Sequence, residues 1–217
     1  MLLPALNKAR SKAMAAACIS NQKQTIQVLQ FYGSDNGSWY PATQGGKSYY
    51  PTSTNQSYLA WSTLLRANGY VTGQYFATGG MFSARFLACS AIKDYPTAAR
   101  VIFQGGFVGS IYTYGLPQYT NDKSGTGIYI PTIAFKISSP EYSSPSTFAY
   151  VMDAANTGAA PAFPWYIWDS RDTQNQKPMG IHDGRCNVAC LDGHVEPVSR
   201  GELYDKFKIS NYTPSIY

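Results

Sequence analysis

Apolar and polar positions follow three different rhythms along this chain, and each predicts a different kind of element. From Leu2 to Tyr32 the rhythm is helical. Met14, Cys18, Thr25, Leu29 and Tyr32 recur at three-, four- or seven-residue steps, with Ile19, Gln22 and Ile26 beside them and Asn21, Lys23 and Gln27 off the stripe. That spacing predicts a long amphipathic helix with one face against a core. Pro4 suits its first turn or would kink a longer helix, and Gly33, Asp35-Asn36-Gly37 and Pro41 end it. A second helix is predicted over Ser57–Asn68, where Tyr58, Trp61, Leu64 and Leu65 share a face.

Short β runs bounded by Gly, Pro, Asn and Ser follow at 74–77, 99–104, 111–114, 127–137 and 147–153. Residues 154–180 combine Pro161, Pro164 and Pro178 with Phe163, Trp165, Tyr166 and Trp168, and read as a long, partly ordered surface loop. The end of the chain is sharper. Cys186–Leu191 and His194–Val198 read as a β-hairpin, with Asp192-Gly193 as a two-residue type I′ turn. Ser199 and Glu202 have the spacing of a capping box that opens a last helix, with Leu203 and Phe207 on its apolar face.

Composition narrows the class. The chain has 217 residues, enough for one sizeable core, and only 13% of them are charged. With 18 Tyr and 19 Gly, such a surface suits an extracytoplasmic, β-rich protein better than a cytosolic enzyme. The net charge of +5 is concentrated at the start, where Lys8, Arg10, Lys12 and Lys23 precede the first acidic residue, Asp35. A basic helix beside an apolar one fits a membrane-proximal segment. Without a basic head it makes a poor nucleic-acid surface, and no nucleic-acid partner is expected. No stretch approaches the roughly 20 apolar residues that span a bilayer.

The run Leu2-Leu3-Pro4-Ala5-Leu6, followed by Ala9-Arg10 and later Asn21-Gln22-Lys23-Gln24, resembles the segment after the membrane-inserted part of type IV prepilins and type II secretion pseudopilins. At the other end, His182, nine intervening residues, then Asp192-Gly193, with Asn187-Val188 and His194-Val195 between and after, is similar to the C-terminal signature of a large prepilin-like group. Phe86-Leu87-Ala88-Cys89 resembles the family's Phe-x-Cys-Pro site, with Ser90 in place of the Pro. Cys186 and Cys190 depart from the pattern, standing where small or apolar residues are usual. The resemblance implies an α+β, pilin-like fold: a spine helix over 1–34 and a head over 35–217, with the helix packed on an antiparallel sheet, loop-rich insertions and a C-terminal hairpin. It implies a filament or pseudopilus subunit whose partners are copies of itself or other pilin-like subunits. An apolar segment upstream of these residues would hold the precursor in the inner membrane before it joins a periplasmic or cell-surface filament.

Candidate chemistry is sparse. His182, Asp192 and His194 are close in sequence and form a conceivable divalent-metal set. The plainer reading is that Asp192 makes the turn, His194 begins a strand and His182 bonds the hairpin, so no metal and no cofactor is assigned. There is no Gly-x-Ser-x-Gly elbow and no P-loop, and no enzyme is assigned. Four cysteines in an exported protein invite disulfides. Cys186 and Cys190 would lie about 13 Å apart along a strand, too far to bridge. Cys18 on the helix stripe and Cys89 after the second helix are the preferred pair, tying spine to head; the alternative leaves all four reduced and buried. Trp165, Tyr166 and Trp168 form a candidate sugar-stacking surface. The alternative function is therefore a surface or tip-located, glycan- or partner-binding pilin-like module.

Overall fold

A computed structural model describes residues 2–41, 44–45, 59–72, 85–87, 89, 91, 114–121, 127–129, 134–136, 144–157, 163–164, 167–169, 176–210 and 212–214. The helical rhythm becomes α1, Leu2–Asp35, 34 residues or about 51 Å long. It is followed by β1 (Trp39–Pro41), β2 (Gln44–Gly45), β3 (Leu59–Ala60) and α2 (Trp61–Ala67), then a single 3-10 turn at Arg85–Leu87. The middle of the chain supplies β4 (Leu116–Asn121), β5 (Gly127–Tyr129), β6 (Ala134–Lys136), β7 (Ala149–Met152), β8 (Ala154–Asn156), β9 (Phe163–Pro164) and β10 (Ile167–Asp169). The end supplies β11 (Gln176–Gly180), β12 (Cys186–Cys190), β13 (Val195–Val198), α3 (Arg200–Phe207) and β14 (Thr213–Pro214).

The architecture is α+β. The described strands pair in the orders β13-β12-β7, β14-β11-β8-β9 and β10-β4-β5, plus the pairs β1-β6 and β2-β3. Most of these pairings are antiparallel, but β10 runs parallel to β4 and β11 parallel to β14, so the sheet structure is mixed. The second helix starts at Trp61, four residues later than its apolar spacing suggests, because Leu59 and Ala60 pair with β2 instead. The runs at 74–77, 99–104 and 111–113 lie outside the described residues.

Two expectations are corrected. Residues 154–180 are not one surface loop: β8 and β11 pair along Asn156–Ala154 and Gln176–Pro178, and Ala154, Ala155 and Met179 are buried. Pro178 misleads because proline usually argues against a strand. The type I′ turn is also elsewhere. Asp183 (φ 51°) and Gly184 (φ 76°) form the two-residue turn, with His182 and Arg185 exchanging backbone hydrogen bonds across it. Asp192 has no positive φ; the β12–β13 connection is the longer Leu191–His194, and only Gly193 is left-handed, at 96°.

β12 is the strand around which the cores divide, since all five of its residues are buried. Alternation along the strand sends Ala189 to a core shared with Cys18, Ile26, Leu29 and Tyr32 of α1, Trp61, Leu64 and Leu65 of α2, and Leu87. Cys186, Val188 and Cys190 face a second core with Val198, Leu203, Phe207 and Ile209. Each large side chain so enclosed contributes about 1.5–3 kcal/mol.

The capping box forms as its spacing predicts. The Glu202 N–H donates to Ser199 Oγ, and the Ser199 N–H donates to Glu202 Oε2 at 2.7 Å. Those bonds with Ser199 hold the Glu202 carboxyl below its ordinary value. A depressed folded-state pKa means that its contribution is present above the ordinary carboxylate range and lost as pH falls through the lowered value. Glu202→Gln is therefore expected to lower the urea midpoint near neutral pH and to leave it unchanged in acid, where the carboxyl is protonated folded and unfolded alike; an equal effect at both pH values would show that the carboxylate charge plays no part.

Candidate functional site

α1 meets the head along one line. Residues 3–10 are exposed, with Leu3 75% and Leu6 65% accessible, whereas Cys18, Gln22, Thr25, Ile26, Leu29 and Tyr32 are all buried. The polar contacts of that line run in register with the segment 182–193. Ser11 Oγ donates to Asp183 Oδ1, and Gln22 Nε2 donates to the Asn187 carbonyl at 3.2 Å. Farther along, Gln30 Nε2 donates to the Leu191 carbonyl at 2.9 Å. From Gln22 to Gln30 a helix rises about 12 Å, and from Asn187 to Leu191 an extended strand covers about 13 Å. Helix and segment therefore advance together. Gly193 belongs to the same line, because a Cβ there would come within 3.2 Å of the Gln30 amide.

At the centre of the line sits a buried polar cluster. Asp153 occupies the single residue between β7 and β8, where the chain leaves one sheet for another. Its Oδ2 accepts from the Asn187 N–H at 2.9 Å, and its Oδ1 accepts from Gln22 Nε2 at 3.4 Å. Its backbone carbonyl accepts from the Met179 N–H at 2.9 Å. One residue thus joins β7, β11, β12 and α1. Burial pushes its carboxyl up to about 7, against the opposing pull of the nearby His182.

His182 is aimed into this cluster by the Asp183-Gly184 turn. Its Nε2 lies 3.3 Å from Cys89 Sγ and 3.7 Å from Asp153 Oδ2. Cys18 joins them: one ligand atom from each of Cys18, Cys89 and His182 lies within 4.8 Å of the other two. Burial alone would lower the His182 imidazole, but its contact with Cys18 and the charge of Asp153 outweigh it and hold the ring above its usual value. Burial, and then the neighbouring Cys18, push the Cys89 thiol far up. Two neighbours complete the setting. Tyr114 donates its hydroxyl to the Cys18 carbonyl at 3.2 Å, and Thr25 donates to the Phe86 carbonyl at 2.9 Å, fixing the turn that precedes Cys89.

Cys89, His182 and Asp153 have the residue types of a nucleophile, base and orienting acid, but not the geometry. Such a relay uses the two ring nitrogens in series. Here sulfur and carboxylate both meet Nε2, and the raised thiol is the opposite of an activated one.

The sequence-predicted residues are redistributed accordingly. Cys18 and Cys89 do come together between spine and head, as two thiols rather than a bonded pair; all four cysteines are thiols. Cys186 and Cys190 lie in the second core. The set His182, Asp192 and His194 does not assemble, because β12 separates the histidines. His194 is exposed and bonds Asp192 through Nδ1 at 2.6 Å, at the far end of the strand from buried His182. Among the signature residues, His182 and Asn187 serve the cluster, Val188 the second core, and Gly193 the helix. Trp165 and Tyr166 lie outside the described residues, and Trp168 falls in β10.

Asp153 and Gln22 carry the cluster and were not singled out from the sequence as site residues. The available signals were a carboxylate inside the apolar run Phe148–Ala155 and a glutamine one helical turn from Cys18 on the buried stripe. No family model, curated protein or solved structure matches the chain. Among the described residues no helix is long and apolar enough to cross a membrane.

Asp153→Ala is expected to lower unfolding stability by about 2–4 kcal/mol, because it strands the Asn187 N–H and the Gln22 amide out of water. A loss under about 0.5 kcal/mol in urea titration, the range of an ordinary surface change, would show that the carboxylate does not hold the sheets and helix together.

Proposed function

We propose that the chain is a structural subunit of a type IV pilus-like filament or type II secretion pseudopilus, with a pilin-like fold. The observation that carries this reading is the uneven burial of α1. A helix serving only to complete this head would end near Cys18, where its burial in the core begins. Instead it continues for more than three further turns, to Leu2, exposing Leu3 and Leu6 beside Lys8, Arg10 and Lys12. An exposed apolar helix flank is a surface waiting for a partner, and in this reading the partner is the same helix of neighbouring subunits.

The resemblance at both ends of the chain supports the same reading, because Gln22, within the Asn21–Gln24 match, bonds Asn187 of the C-terminal signature. The C-terminal signature, through His182, Asn187 and Gly193, lies against α1 at Cys18, Gln22 and Gln30. In the assembled subunit the head would clamp the later half of the helix and leave its start free to pack in a filament core. An apolar continuation upstream would anchor the precursor in the inner membrane, with Lys8–Lys12 near its surface.

The paired substitution Leu3→Ser, Leu6→Ser separates assembly from folding. It should change the unfolding free energy of the purified chain by no more than about 0.5 kcal/mol, while abolishing recovery of the subunit in sheared or pelleted filaments from producing cells. Wild-type incorporation of the doubly substituted chain would overturn the proposal.

A further inference from the structure

We propose that Cys18, Cys89, His182 and Asp153 form a closed, four-ligand Zn²⁺ site that fastens α1 to the head. The site stands on geometry and is independent of the filament reading. Zinc–sulfur bonds of about 2.3 Å and zinc–nitrogen or –oxygen bonds of about 2.0–2.2 Å give tetrahedral edges of about 3.3–3.8 Å between ligand atoms. Cys89 Sγ to His182 Nε2, at 3.3 Å, and His182 Nε2 to Asp153 Oδ2, at 3.7 Å, fall in that range. The Cys18 ligand atom is within 4.8 Å of those of Cys89 and His182, so closure requires side-chain shifts of about 1 Å.

The donor set selects the metal class. Two sulfurs, an imidazole and a carboxylate suit zinc, whereas calcium and magnesium take oxygen ligands. Burial selects the role. Cys18 is 0% accessible, Cys89 4%, His182 6% and Asp153 2%, which leaves no open position for substrate and matches a structural rather than a catalytic centre. The surroundings supply what metal ligands commonly have, a second layer of hydrogen bonds. The Asn187 N–H and the Gln22 amide hold the two oxygens of Asp153. These same residues also carry the buried, unpartnered Gln22 Oε1 and Asn187 side-chain amide. The polar environment around the cluster is thus not closed by its own hydrogen bonds.

Binding is coordination without redox change. The two thiols, and Asp153 and His182 to the extent that they are protonated, release their protons to solvent, and two thiolates, one carboxylate and a neutral imidazole surround one dication, for a net charge of −1. The ligands come from α1, from the segment after the Arg85–Leu87 turn, from the β7–β8 junction and from the β11–β12 turn. A single ion would therefore cross-link four parts of the chain that are distant in sequence.

The test uses the whole chain, purified without chelator. Elemental analysis should find one zinc per chain. Removal by chelator should lower the melting temperature, and ZnCl₂, but not MgCl₂, should restore it. CoCl₂ added to the metal-free chain should give the thiolate charge-transfer and tetrahedral ligand-field bands of a two-sulfur site. Cys18→Ser and Cys89→Ser should each lose the ion, whereas Cys190→Ser, in the other core, should keep it. Should a variant fail to fold, the cobalt spectrum of the unaltered chain decides by itself. Substoichiometric zinc with no thiolate–cobalt band, or a Cys18–Cys89 disulfide in non-reducing peptide maps of the purified chain, would overturn the proposal.

Discussion

A carboxyl group wholly removed from water is costly unless its oxygens are bonded, and the structure of this chain is arranged around one that is. Asp153 stands at the only residue separating β7 from β8. Its side chain reaches the backbone of β12 and the amide of Gln22 on α1, while its carbonyl binds the start of the Met179–Gly180 segment. Moving it would uncouple two sheets from each other and both from the helix. Buried polar groups of this kind add less to stability than an apolar filling might, but they fix which strand lies against which turn of helix.

That fixed register explains how the rest of the helix interface is built. With Gln22 held at Asn187, the near-equal advance of helix and extended strand brings Gln30 to Leu191, and the Asp183-Gly184 turn places Asp183 against Ser11. The apolar stripe then falls onto α2, the Arg85–Leu87 turn and the inner face of β12 without further adjustment. Among the described residues, full burial of α1 starts at Cys18, and the exposed bond of Ser11 to Asp183 is its outermost contact with the head. What lies beyond is a bare helical rod with apolar and basic positions exposed, the physical basis for reading the molecule as a subunit rather than a self-contained domain.

Much of this was legible in the sequence, and the failures have identifiable causes. The helix, its stripe, the final hairpin and the capping box rest on period and on short-range hydrogen-bond chemistry, which act within a few residues. Asp-Gly occurs twice within eleven residues, and the type I′ turn falls at the other one. The deciding factor is the separation of the paired residues: His182 and Arg185 leave two between them, whereas Ala189 and Val195 leave a longer connection. Residues 154–180 looked like loop because prolines and aromatics obscure alternation, yet Ala154, Ala155 and Met179 are buried by partners far away in the chain. The approach of Cys18 to Cys89 could be anticipated. The arrival of His182 and Asp153 at the same point could not, since it depends on how two sheets stack. Local pattern carries no information about that.

The head encloses the later part of α1, through the line from Cys18 to Tyr32, with the exposed Ser11–Asp183 bond as its outermost contact among the described residues. Amide hydrogen exchange on the isolated chain reads this residue by residue. The account predicts that amides of residues 18–32 exchange only through global unfolding, while those of residues 5–12 exchange by local fraying, orders of magnitude faster. Equal protection along the whole helix, or weak protection at 18–32, would contradict it.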